Sequence, residues 1–156
     1  MKILAIALSV IMIGLWITGG VGTWLINRDT VHILERAQVA ANAADMQNYV
    51  TQLEQNMEER GMTTGYAALV WKSPENDMGL IYRVVQQVNE RLSGIKDLPP
   101  DDTTYQVALD DLRGTLRELN LFAGSWYWVC NAWWIIISFV LLGAVIGIGV
   151  KAMYES

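Results

Sequence analysis

Cysteine and histidine each occur once in this sequence, as Cys130 and His32. A lone cysteine excludes an intrachain disulfide and any Cys-rich zinc or iron–sulfur site. A lone histidine offers no two-histidine ligand pair of the usual kind. The chain also lacks a glycine-rich phosphate loop and a G-x-S-x-G elbow. Without a convergent nucleophile, base and orienting group, no catalysis is expected, and no metal or cofactor. Glu54, Glu58 and Glu59 have no Glu-x-x-His partner and read as a solvated helix face with i,i+4 partners. His32 stands at helical spacings of three and four from Asp29 and Arg36. It reads as a partly solvated side chain in a polar collar, within possible reach of Asp110, Asp111 or Glu118 on a returning helix.

Charge is scarce as well, at 17% of residues against roughly 25% in an average soluble domain. The mean hydropathy is +0.25. No charged residue lies between Lys2 and Arg28, and none between Glu118 and Lys151. Each gap exceeds the ~20 apolar residues that cross a bilayer core. The expected architecture is an all-α membrane protein with transmembrane helices over 3–26 and 124–150. An extramembrane segment over 27–123 joins them. Of 11 basic and 16 acidic residues, all but Lys2, Lys151 and Glu155 fall in that segment, which leaves 9 and 15 and a net charge of −6. An acidic loop argues against nucleic acid, which needs a basic footprint, and against docking on anionic headgroups.

The first span resembles a signal sequence in having a lysine before a long apolar run. Gly20-Val-Gly22 is a small-x-small pair of the type that precedes cleavage. The run is longer than the ~7–15 residues of a signal h-region, so an uncleaved anchor is expected. Lys2 and Lys151 suit two cytoplasmic termini and a loop outside the cytoplasm. Arg28, Arg36, Arg113 and Arg117 flank the spans on the loop side and pull the other way. The signal-like start favours the extracytoplasmic loop.

Within the loop, apolar stripes predict three helices over about 30–60, 74–93 and 103–123. The first carries Val39, Ala43, Met46, Val50, Leu53 and Met57 at alternating steps of four and three, a heptad seam. It is expected to continue straight from the first span and to stop at Gly61. The second opens at Ser73-Pro74-Glu75 and carries Met78, Ile81, Val85, Val88 and Leu92. The third follows the DLPPDD turn and carries Tyr105, Leu109, Leu112, Leu116 and Leu119. Continued in register, its stripe reaches Ala123, Trp126, Cys130, Trp133, Ile137, Val140, Ala144 and Gly147. That permits one unbroken helix of about 45–50 residues, or about 70 Å. Three helices and two spans need one further crossing of the bundle, which residues 62–72, MTTGYAALVWK, can supply at roughly 35 Å extended, unless the second helix lies flat on the bundle or the membrane surface.

Residues 124–134, GSWYWVCNAWW, are the densest aromatic stretch. Trp126, Tyr127 and Trp128, with Trp24 on the first span, are expected as a collar at the membrane interface. Trp133 and Trp134 lie deeper. With Cys130 and the amide of Asn131 they mark where a partner or lipid would contact the span. Gly143 and Gly147 form a GxxxG pair that admits close backbone approach, within the chain or to another subunit. Ala5/Ser9 and Thr18/Gly22 repeat that spacing on the first span.

The function these features favour is a non-catalytic accessory or structural subunit of a larger integral membrane assembly. Its partners would be the lipid bilayer and other membrane subunits, identical or different. A second reading is an extracytoplasmic ligand-sensing helical domain. The sequence stops five residues after Lys151, so such a sensor would act through a partner chain. A third is a homo-oligomeric scaffold or pore, for which the spans hold only Ser9, Thr18, Asn131 and Ser138 as polar lining.

Overall fold

The computed structural model describes residues 2–154. All regular structure among them is helical, with one isolated bridge between Tyr66 and Asp77. The helices are α1 (Lys2–Asp29), α2 (Val31–Gln38), α3 (Ala43–Glu59), α4 (Met78–Ile95), α5 (Thr103–Glu118), α6 (Ala123–Cys130) and α7 (Ala132–Tyr154). Two helical stretches, within 3–38 and 132–151, are long and apolar enough to cross a membrane.

The first long helix does not run straight to Arg60. α2 continues beyond α1, and the chain then reverses at residues 39–42. Asn42 ends the run by capping α3: its Oδ1 accepts from the Asp45 N–H at 2.8 Å, and its Nδ2 donates to Asp45 Oδ2 at 2.8 Å. This satisfies an otherwise orphaned N-terminal donor. α3 therefore folds back beside α2. Asn56 donates to the Asp29 carbonyl at 2.6 Å, and Arg60 pairs with the Asp29 carboxylate, so the far end of α3 meets the end of α1. Both guanidinium neighbours, Arg28 foremost, hold the Asp29 carboxyl below its ordinary range. Val39, placed by its spacing on the seam, lies on the reversal and is 76% exposed.

The reversal supplies the extra crossing that the helix count demands, so residues 62–72 need not provide it. α3 and α4 run antiparallel, joined by Glu58–Tyr82, Glu54–Asn89 and Gln47–Ser93 contacts. The Tyr82 phenol donates to Glu58, which pushes its pKa up to about 12. α5 closes the bundle. Tyr105 Oη accepts from the Ala43 N–H at 2.8 Å, Arg113 donates to the Ala40 carbonyl at 2.7 Å, and Gln38 donates to the Leu116 carbonyl at 2.9 Å. All the remaining stripe positions are buried except Leu119, which is half-buried.

Helix ends follow local chemistry. Pro74–Asn76 is a single 3₁₀ turn, and α4 starts only after Asp77, whose Oδ1 accepts from Gly79 and Leu80 N–H. α5 stops at Glu118, because Leu119 turns to extended backbone at ψ 119°. The unbroken 45–50-residue helix is thus interrupted at 119–122, and again at Asn131.

Gly61 ends α3 as expected. It takes φ 71°, and the N–H groups of Gly61 and Met62 reach back to the Glu58 and Met57 carbonyls at 3.0 and 2.7 Å. This is a Schellman closure, with Met62 buried beneath it. Gly61→Ala, with open space for its Cβ but the wrong φ, is expected to cost about 1–2 kcal/mol. Thermal unfolding of the full chain checks this: an unchanged midpoint contradicts the left-handed closure.

Candidate functional site: the aromatic junction of the two apolar helices

α1 and the α6–α7 pair lie side by side and antiparallel. Gly124 meets Thr23 and Asn27, Trp128 meets Gly19, and Ser138 shares a small cleft with Met12. On α1 the inward positions are Ala5, Leu8, Met12, Leu15, Gly19, Gly22 and Ile26. On α7 they are Trp134, Ser138, Leu141, Val145 and Ile148. Both sets step by three and four, the spacing of a packed antiparallel seam. The extrapolated stripe through Trp133, Ile137, Val140, Ala144 and Gly147 is the wrong face; all five are exposed. The register changes where Asn131 interrupts the helix, with φ −108° and ψ 25°.

Two glycines make the junction possible. A Cβ on Gly19 would run into the ring of Trp128, and a Cβ on Gly22 into the ring of Tyr127. The bare backbone of α1 is the floor on which these rings lie. Trp16 flanks Trp128 with ring centroids 5.9 Å apart. Tyr127 meets Trp128 edge-on at 5.9 Å and Trp134 edge-on at 6.2 Å. Trp133 and Trp134 are perpendicular at 5.3 Å. Edge-to-face pairs at these separations each contribute about 0.5–1.5 kcal/mol beyond area burial.

The expected collar therefore divides. Trp24 is outward, 59% exposed, with the Arg28 guanidinium 5.2 Å from its ring centre. Trp126 packs against the core of the bundle. Tyr127 and Trp128 turn inward onto α1. Cys130 is exposed. The Asn131 amide donates at 2.8 Å to the Tyr127 carbonyl one turn earlier, so it patches its own helix break instead of reaching across an interface. Trp133 is 51% exposed, whereas the indole N–H of Trp134 is buried without an acceptor among the described residues.

Gly143 and Gly147 take no part in the seam. Both are exposed, and a Cβ added to either would meet nothing within 4 Å. Sequence spacing singled out this pair and passed over Gly19, whose role depends on a ring more than a hundred residues away. Its only signal was the cluster Gly19-Gly20-Val21-Gly22, which also has the look of a cleavage site.

The remaining polar candidates disperse. His32 Nδ1 is 3.0 Å from Glu35 Oε2 and exposed, while Asp110 and Asp111 pair with Arg113 and Arg91. Glu54 accepts from Gln86 and Asn89, and Glu58 from Tyr82. Among the described residues, no group of three or more His, Cys, Asp or Glu is placed to hold a metal ion. No protein-family model, curated protein or solved structure matches the chain.

Proposed function

We propose that this chain is a non-catalytic subunit of a larger integral membrane assembly. It crosses the bilayer twice, holds its acidic bundle outside the cytoplasm, and presents the outer face of α7 to another subunit. The observation that carries this reading is the position of Gly143 and Gly147. They are the small residues most suited to close helix approach, and α1 leaves them uncovered. The chain's own seam is already filled, so a neighbour on that face would add contact without displacing any.

The pore reading loses support at its lining. Ser9, Thr18, Asn131 and Ser138 each bond to a carbonyl of their own helix four residues back. A sensor draws support from an open cleft of about 360 Å³ between α4 and the 118–122 segment. Leu80, Ile81, Val84, Leu119 and Phe122 line it, with Glu75 and Glu118 at its rim. A second open cleft, of about 570 Å³, is lined by Gln38, Asp110, Arg113 and Arg117, while the seam between the bundle helices is apolar.

Blue-native electrophoresis after mild detergent extraction tests the assembly. The expected result is a species well above 17.5 kDa that falls to the monomer when Gly143 and Gly147 are both replaced by leucine. A wild-type chain that migrates alone overturns the reading. Differently tagged copies then separate self-association from a second kind of subunit.

A further inference from the structure

The segment between α3 and α4 is built more rigidly than its lack of helix implies. The Met78 N–H donates to the Gly65 carbonyl at 2.9 Å, and the Ala67 N–H to the Asn76 carbonyl at 2.8 Å. Ala67 is buried. Asn76 ties the outer arm twice, donating to the Trp71 carbonyl at 2.8 Å and accepting from the Ser73 N–H at 3.1 Å. The tip of the segment, by contrast, is turned outward. Leu69, Val70 and Trp71 are 61%, 73% and 84% exposed. Next to them, Lys72 places its ammonium 5.2 Å from the ring centre of Tyr66. Three consecutive large apolar side chains held in the open are costly in water, at about 25 cal/mol per Å² of apolar surface.

The location of this tip decides what covers it. The segment leaves α3 at Arg60, which is pinned to Asp29 at the end of α1. Its other arm, Pro74 and Glu75, lines the same cleft as Asn120 and Phe122, just before α6. Both anchors belong to the end of the bundle where the apolar helices leave it. Trp24 lies five residues before Asp29, or about 7.5 Å of helix, so an interfacial aromatic on α1 sits close to this level.

We propose that Leu69-Val70-Trp71 is a third membrane contact, a tethered loop whose tip enters the headgroup boundary of the bilayer that α1 and α7 cross. It rests on the two-span reading. Trp71 is the interfacial residue, Leu69 and Val70 reach toward the acyl chains, and Lys72 stays at the headgroup level beside Tyr66. The contact gives the bundle a third attachment to the membrane beside the two spans, and so fixes its tilt.

Site-directed spin labelling of the full chain in phosphatidylcholine nanodiscs tests this, in a Cys130→Ala background. A label at Trp71→Cys is expected to collide more with oxygen and less with a water-soluble nickel chelate than labels at Gln55→Cys and Gln87→Cys on the exposed bundle surface. A label at Ile17→Cys, exposed on α1, reports on the spans. If Ile17 reads as lipid while Trp71 matches the bundle labels, the loop contact is overturned and the spans stand. If both read as water, the two-span reading itself has failed. A Trp71 label shielded from both reagents means a protein partner covers the tip, and also overturns the proposal.

Discussion

Gly22→Leu is expected to separate the two long apolar helices, whereas Gly20→Leu two residues away is expected to leave them together. The difference is geometric. At Gly22 the new Cβ alone would overlap the phenol end of Tyr127, while at Gly20 it would meet nothing within 4 Å. Leucine raises helix propensity at both sites, so propensity cannot separate them. Overpacking costs about 1–3 kcal/mol where side chains can give, and more where they cannot. Tyr127 has little room, because Trp128 and Trp134 both lie edge-on to it. Expelling its ring would therefore disturb a chain of contacts running from Trp16 to Trp133. Met12 and Leu142 line one cleft of about 60 Å³ between the helices. Cysteines at these two positions, in a Cys130→Ala background, should be joined by a short bis-maleimide in the parent and in Gly20→Leu. Gly22→Leu should lose most of that product. Equal cross-linking in both variants would mean the aromatic junction does not hold the helices together.

The same residues show where sequence reasoning reaches its limit. Stripes in α3, α4 and α5 were legible because the opposite face of each helix is polar, so periodicity carries information. Met46, Val50, Leu53 and Met57 stand out against Gln47, Gln52, Glu54 and Gln55. In α7 the seam residues Leu141, Val145 and Ile148 look no different from their outward neighbours Leu142, Ile146 and Val150. Apolar residues on every face of the helix erase the pattern, and the register extrapolated from α5 landed on the wrong face. The glycine notch under Tyr127 and Trp128 depends on contacts between residues distant in sequence, which local spacing does not encode. Val39 failed for another reason. Its place in the heptad was correct arithmetic, but the chain turns there. Asn42 and Asp45 carried the stop signal inside an alanine-rich stretch, VAANAAD, that permits helix without requiring a break.

That break gives the second large expected effect. Leu53→Ala, at a position with no exposure, should cost about 2–5 kcal/mol, because it removes buried methyl groups and leaves a cavity. For a bundle of this size each kcal/mol lowers the midpoint by about 4–8 °C, so the loss is readily measured by circular dichroism of the full chain in detergent. Val39→Ala should stay within about 0.5 kcal/mol of the parent, although both residues occupy the same heptad stripe. Asn42→Ala then separates hairpin from straight helix by its sign. In the interior of a continuous helix, alanine improves on asparagine and the variant would be more stable. At the first cap of α3 the change strips the acceptor from the Asp45 N–H and costs about 1 kcal/mol. A stabilised Asn42→Ala, with Val39→Ala as damaging as Leu53→Ala, would restore the straight helix and remove the reversal on which the bundle's antiparallel order depends.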